Sequence, residues 1–229
     1  MMATQIQQRL AKVRARLAAA EKRYGRAAGS VQLLAVSKTR TAEEIREAIA
    51  AGQRAFGENY VQEALDKINA LNDEDVEWHF IGRIQSNKTR QIAEHFDWVH
   101  SVASIKHARR LDEQRPGHLP PLKVCLQVNV SGETSKSGFA PDELEEAVAA
   151  CCAMPRLELM GLMALPAPVD TEEAQRRPFR MLREMRDKVA TGQCPLPTLS
   201  MGMSGDMEGA VAEGSTVVRI GTAIFGART

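Results

Sequence analysis

Short apolar runs rich in β-branched residues alternate along this chain with longer amphipathic segments, and the alternation recurs eight times. The first run is QLLAVSK at 32–38. Thr41 and Glu44 then form a capping box, Ile45, Ala48 and Ile49 share one helical face, and Gly52 closes the helix. AFGENY precedes a helix from Val61, EWHFIG a helix after Ser86, and WVHSVA a helix after Ser104. KVCLQVNV leads through the loop SGETSKSGFA into a helix with Pro141 in its first turn, where Leu144, Ala147, Val148, Cys151 and Cys152 fall on one stripe. LELMGLMAL precedes a long helix to about Ala190, TLSMGMS a short helix after Asp206, and VVRIGTAIFG the end of the chain.

Strands that alternate with helices pair in parallel, because each helix returns the chain to the edge where the previous strand began. Eight such strands predict an α/β fold, a single (β/α)8 TIM-type barrel, with a doubly wound open sheet as the alternative. The segment MMATQIQQRLAKVRARLAAAEKRYG has helical spacing and adds an extra N-terminal helix within 1–30, ahead of a barrel at 31–229. RPGHLPP and ALPAPVD read as loops, and no Pro/Gly/Ser-rich linker divides the chain, so 1–229 is read as one domain.

The 30 basic residues nearly cancel the 29 acidic ones, which argues against a protein built to attract nucleic-acid phosphates. No apolar stretch approaches the roughly 20 residues of a membrane span, and the N-terminus lacks a signal-peptide core. Adjacent Cys151 and Cys152 cannot form an ordinary bridge and no C-x-x-C occurs, so the cysteines are read as those of a reducing cytoplasm.

In such a barrel, chemistry collects where strands end. Lys38 ends the first strand and projects over the barrel mouth in a partly desolvated site, the setting a Schiff-base lysine requires. SMGMSGD offers Ser204, Gly205 and the N–H groups that open the next helix, which suit a phosphate. RIGTAIFG offers Arg219, then Gly221 and Thr222, and the loops after strands seven and eight commonly form a barrel's phosphate site. The near match of Gly202–Asp206 to a serine-hydrolase elbow fails, because its last glycine is Asp206 and no histidine follows Ser204. The five histidines show no metal-ligand spacing, and His79 reads as a hydrogen-bonded core residue. Met160, Met163, Met201 and Met203 alternate as barrel-lining residues would.

A lysine ending strand one, a phosphate turn after strand seven and an arginine on strand eight together resemble the pyridoxal phosphate homeostasis protein family (the YggS/PROSC type), which shares the barrel of alanine racemase. WHFIGRIQSNKTRQI at 78–92 looks like the family signature, and AVSKT, FGENYVQE, SKSGF, LSMGMSGD and VRIGTAIFG fall in the family's order. The resemblance implies that Lys38 holds pyridoxal 5′-phosphate as a covalent aldimine. It also implies that Ser204, Gly205, Gly221 and Thr222 cradle the phosphate, that Arg219 faces the pyridine nitrogen, and that Asn59 and Met203 line the pocket. Lys136 is similar in position to an arginine near the ring hydroxyl in alanine racemases, and His79 is expected in a structural or supporting role.

The family implies a cytoplasmic carrier or regulator of vitamin B6 without robust catalysis. The partners it implies are pyridoxal phosphate and pyridoxal phosphate-dependent apo-enzymes as transient recipients, with no nucleic acid and no membrane, and the chain as a monomer. Alanine racemases take a second catalytic tyrosine from a C-terminal domain. This chain stops at Thr229 and has only Tyr24 and Tyr60, so that group is expected to be missing. The alternative is a small fold-type III pyridoxal phosphate enzyme, an amino-acid racemase or aldolase.

Overall fold

Each capping signal produces a helix start. Thr4 with Gln7 opens α1 (Gln5–Arg23) and Thr41 with Glu44 opens α2 (Ala42–Ala50), both as reciprocal capping boxes, while Ser104 caps α5 (Ile105–Gln114). In the computed structural model, which describes residues 3–131, 137–169 and 171–227, the strands between the helices close into a parallel barrel in sequence order. They are β1 (Gln32–Val36), β2 (Ala55–Glu58), β3 (Glu77–Phe80), β4 (Trp98–Val102), β5 (Leu122–Gln127), β6 (Leu157–Met163), β7 (Thr198–Ser200) and β8 (Val217–Ile220). The ring shuts where Leu34 pairs with Arg219 and Ala35 with Ile220. The barrel is therefore borne out, and the open sheet is not.

The remaining helices are α3 (Val61–Ala70), α4 (Thr89–His95), α6 (Leu144–Cys152), α7 (Glu172–Val189), α8 (Met207–Ala212) and α9 (Thr222–Phe225). Helix α1 buries Ile6, Leu10, Val13, Leu17 and Ala20 against α2, α8 and α9. Burial of a large aliphatic side chain contributes about 1.5–3 kcal/mol each, enough to hold this extra helix on the barrel.

Two apolar clusters lie apart from the helix-facing core. Leu34, Ala55 and Val217 form one, and Trp98, Cys125 and Met163, with Met160 beside them, form the other. Fully buried His79, His100 and Ser200 and the almost fully buried Arg219 form a polar chain.

The structure corrects three expectations. Strand β8 ends at Ile220, and the residues after Gly221 form helix α9 rather than a longer last strand. Met201 packs into the helix-facing core instead of lining the barrel. Cys152 and Cys194 form a disulfide, their Cα atoms 6.5 Å apart, so these two cysteines are not the free thiols the sequence reading expected. Folding brings together two segments 42 residues apart, a contact that spacing along the chain does not reveal. Cys125 and Cys151 remain free and buried, and burial pushes their thiols up to about 12 and about 11.

Candidate functional site

The barrel closure makes β7, β8, β1 and β2 consecutive neighbours, so the residues at their C-terminal ends share one arc of the mouth. Half-buried Lys38 follows β1, Asn59 follows β2, and Met203, Ser204 and Gly205 follow β7. Arg219 lies within β8, and Gly221 and Thr222 open α9. All eight expected site residues belong to this arc, whereas Lys136 lies outside the described residues.

The backbone around Lys38 is clamped by groups that sequence reasoning missed. Lys67, on α3 and buried, donates to Glu58 Oε1 at 2.7 Å, Glu63 Oε1 at 2.6 Å and the Ser37 carbonyl at 2.7 Å. Ser37 Oγ donates to Glu58 Oε1 at 2.6 Å, and Glu63 accepts the Thr39 N–H. Thr39 sits at φ +63°, a left-handed conformation that costs a non-glycine residue energy unless its surroundings enforce it. Glu58 and Lys67 thus fix Ser37 on one side of Lys38, and Glu63, itself held by Lys67, fixes Thr39 on the other. Burial pushes the Glu58 carboxyl above its ordinary value, against the pull of Lys67 and the Ser37 hydroxyl. The visible signals were Glu63 and Lys67 four residues apart and an acid ending the second strand.

The turn after β7 needs Gly202, because at φ +101° a Cβ there would stand 2.5 Å from the Ala210 Cβ. Asp206 Oδ1 accepts the Met203 N–H at 2.5 Å. Arg16 of α1 donates to the Ser204 carbonyl at 2.8 Å and pairs with Glu208. Around Gly205 a Cβ would meet no atom within 4 Å, so the turn is open. Among the described residues, the N–H groups of Ser204, Gly205, Thr222 and Ala223 have no hydrogen-bond acceptor. An anion with several acceptor oxygens would satisfy them.

Arg219 Nη1 donates to the Ser200 carbonyl and Ser200 Oγ, each at 2.6 Å, and Nη2 to the Ala164 carbonyl at 2.9 Å. No carboxylate lies within ion-pair distance among the described residues, and burial lowers its pKa to about 10. Beneath it, Ser200 Oγ lies 2.7 Å from His100 Nδ1, His100 Nε2 lies 2.9 Å from His79 Nδ1, and His79 Nε2 lies 3.1 Å from Glu77 Oε2. The structure thus places His79 in the buried, hydrogen-bonded setting expected of it. Burial holds both imidazoles below their ordinary pKa and therefore neutral.

Glu77 also accepts from Trp98 Nε1 at 2.8 Å, and its hydrogen bonds hold it ionised with a pKa of about 2, against an ordinary 4.5. A depressed acid contributes stability above its unfolded value and loses it as pH falls through the folded one. Glu77→Gln should therefore lower the urea midpoint at pH 7, with the difference from the parent shrinking between pH 4.5 and 2.

The rest of the mouth is a cavity of about 630 Å³ lined by Asn59, Gly82, Arg83, Ser104, His107 and Asn129, among others. Burial and neighbouring Lys106, Arg110 and Arg83 hold His107 below its ordinary value, so this rim is positive. Asn59 Oδ1 is buried with no partner among the described residues. Unpaired donors at the turns, a buried cation without a carboxylate, an orphaned amide oxygen and a clamped lysine together fit a small phosphorylated ring carrying an electrophile.

Residues 8–229 match the family model described as the alanine racemase N-terminal domain. The chain is 58% identical over 223 residues to the pyridoxal phosphate homeostasis protein of Pseudomonas aeruginosa, covering 97% of this chain and 96% of that protein. It is 54% identical to the protein of the same name from Escherichia coli K12, covering 96% and 95%. PipY of Synechococcus elongatus, solved with PLP bound, is 40% identical with a TM-score of 0.83, covering 96% of this chain and all of that one. The same protein without PLP gives 41% and 0.87 over the same shares. An alanine racemase from Corynebacterium glutamicum, 20% identical with a TM-score of 0.68, shares the fold.

Proposed function

Because the chain belongs to the alanine racemase N-terminal domain family and, within it, to the pyridoxal phosphate homeostasis proteins, we propose that it binds pyridoxal 5′-phosphate at the arc formed by the ends of β7, β8, β1 and β2. The protein serves intracellular vitamin B6 balance by holding this cofactor. Bound there, the cofactor supplies an aldehyde that links to an amine. Lys38 provides that amine, Ser204, Gly205, Gly221 and Thr222 hold the phosphate, and Asn59 and Met203 flank the ring. Arg219 faces the ring nitrogen. The observation that carries the assignment is the buried Arg219 cation beside two turns whose N–H groups await an anion.

Holding the cofactor without turning substrate over follows from the same groups. A fixed cation at the ring nitrogen keeps that nitrogen unprotonated, and an unprotonated ring is a weak electron sink. Neither tyrosine lines the mouth cavity: Tyr60 is 59% exposed at the start of α3, and Tyr24, just past the end of α1, reaches Glu172. The protein is a monomeric cytoplasmic carrier whose recipients are pyridoxal phosphate-dependent apo-enzymes. No described helix is long and apolar enough to cross a membrane.

Chiral analysis after incubation with a panel of L-amino acids tests the carrier reading. The reading expects no product at enzyme rates, and racemisation at about 1 s⁻¹ or faster would make the protein a small racemase. A second test probes the phosphate. Charge-assisted hydrogen bonds contribute about 1.5–3 kcal/mol each, so Ser204→Ala should weaken pyridoxal phosphate binding by about tenfold or more. Titration with unphosphorylated pyridoxal should show little change, and equal losses for both ligands would remove Ser204 from the cradle.

A further inference from the structure

The chain of contacts through the barrel has a direction that its two ends impose. Arg219 can only donate hydrogen bonds, and an ionised carboxylate can only accept them. Ser200 Oγ accepts from Arg219 Nη1, so its own proton points to His100 Nδ1, 2.7 Å away. His100 then carries its proton on Nε2 and donates to His79 Nδ1 at 2.9 Å. His79 in turn carries its proton on Nε2 and donates to Glu77 Oε2 at 3.1 Å. Reversing any one link would leave two donors facing each other or two acceptors. The links form a head-to-tail row between a cation and an anion, in which neighbouring bonds polarise one another.

The ends lie at opposite mouths of the barrel. Glu77 begins β3, lines a cleft of about 400 Å³ between α1 and the barrel floor, and is bracketed by Trp98 and Lys123. Arg219 sits in β8, bordering the mouth that carries Lys38 and the β7 turn. Asp206 acts on Arg219 only through space, and the row joins the guanidinium to a carboxylate through hydrogen bonds; with the Ser200 and Ala164 carbonyls, Ser200 Oγ fixes the plane in which the remaining guanidinium N–H groups point.

We infer that Glu77, His79, His100 and Ser200 form a one-directional hydrogen-bond relay that positions Arg219 as the donor to the cofactor's ring nitrogen. Glu77 is then a positioning residue acting from the far mouth through three intermediates. This rests on the assignment of Arg219 to the ring nitrogen made above.

The test has two arms. Long-range ¹H–¹⁵N correlation spectra of the ¹⁵N-labelled protein report which nitrogen of each imidazole is protonated. The relay requires Nε2–H with bare Nδ1 at both His79 and His100, and Nδ1–H at either ring would overturn it. In the second arm, wild-type protein, Ser200→Ala and Glu77→Gln are titrated with pyridoxal phosphate and with the analogue in which carbon replaces the ring nitrogen.

The preference for the natural cofactor should fall roughly two- to tenfold in Ser200→Ala, the range one lost hydrogen bond covers. It should fall by a smaller factor in Glu77→Gln, which touches neither Arg219 nor the ring, while binding of the carbon analogue stays near wild type. A variant that merely loosened the barrel would weaken both ligands together. An unchanged preference in Glu77→Gln would overturn action from the far mouth. If wild-type protein binds both ligands equally, the placement of Arg219 at the ring nitrogen fails, and the tautomers still judge the relay.

Discussion

Lys38→Ala should abolish covalent capture of pyridoxal phosphate while leaving the barrel folded. Lys38 follows the end of β1, is only half-buried, and its amine bonds to no group among the described residues. The turn around it is held by Ser37, Thr39, Glu63 and Lys67, which the substitution leaves in place. Its effect on stability should stay within about 0.5 kcal/mol, as for surface positions that anchor nothing. Thermal melts of variant and parent should therefore coincide, while the variant mixed with cofactor should show only the absorbance of free aldehyde. An unchanged imine band in Lys38→Ala would move the covalent link to another amine.

Lys67→Met should have the larger effect on the fold. The Lys67 ammonium is the only cation contacting the fully buried Glu58 among the described residues. Removing one partner of a buried pair leaves the other uncompensated, at about 3–5 kcal/mol. Glu58 Oε2 already lacks a partner, so the carboxyl has little alternative support. The variant should unfold at markedly lower urea. It should also bind cofactor more weakly, because the Ser37 carbonyl loses its anchor beside Lys38. Adding Glu58→Gln removes the stranded charge and should recover much of the stability without restoring binding. If the double variant were as unstable as the single one, buried charge would not be the cause.

The barrel was legible because helix and strand signals repeat along the chain, and the capping box at Thr41 and the Ser104 cap each open a helix where the spacing places one. The mouth residues were legible because strand-end position, glycine turns and a lone lysine are local properties of the chain. What pairs across the barrel was not. Glu77, His79, His100, Ser200 and Arg219 come from β3, β4, β7 and β8, and only closure aligns them. Each polar residue taken singly resembles an isolated exception in an apolar strand. The Cys152–Cys194 contact and the clamp of Lys67 on Ser37 were hidden for the same reason: the partners lie 42 and 30 residues apart. Helix α9 was absorbed into the last apolar run because TAIF follows VVRIG without a polar break.

The central claim is that one lysine, at the end of β1, holds the cofactor. Borohydride reduction of the wild-type protein saturated with pyridoxal phosphate, followed by digestion and mass mapping, tests it most directly. The account predicts a phosphopyridoxyl adduct on the peptide carrying Lys38, at one equivalent per chain, with loss of the yellow colour. An adduct confined to Lys67, Lys136 or any other lysine, or no adduct at all, would contradict it.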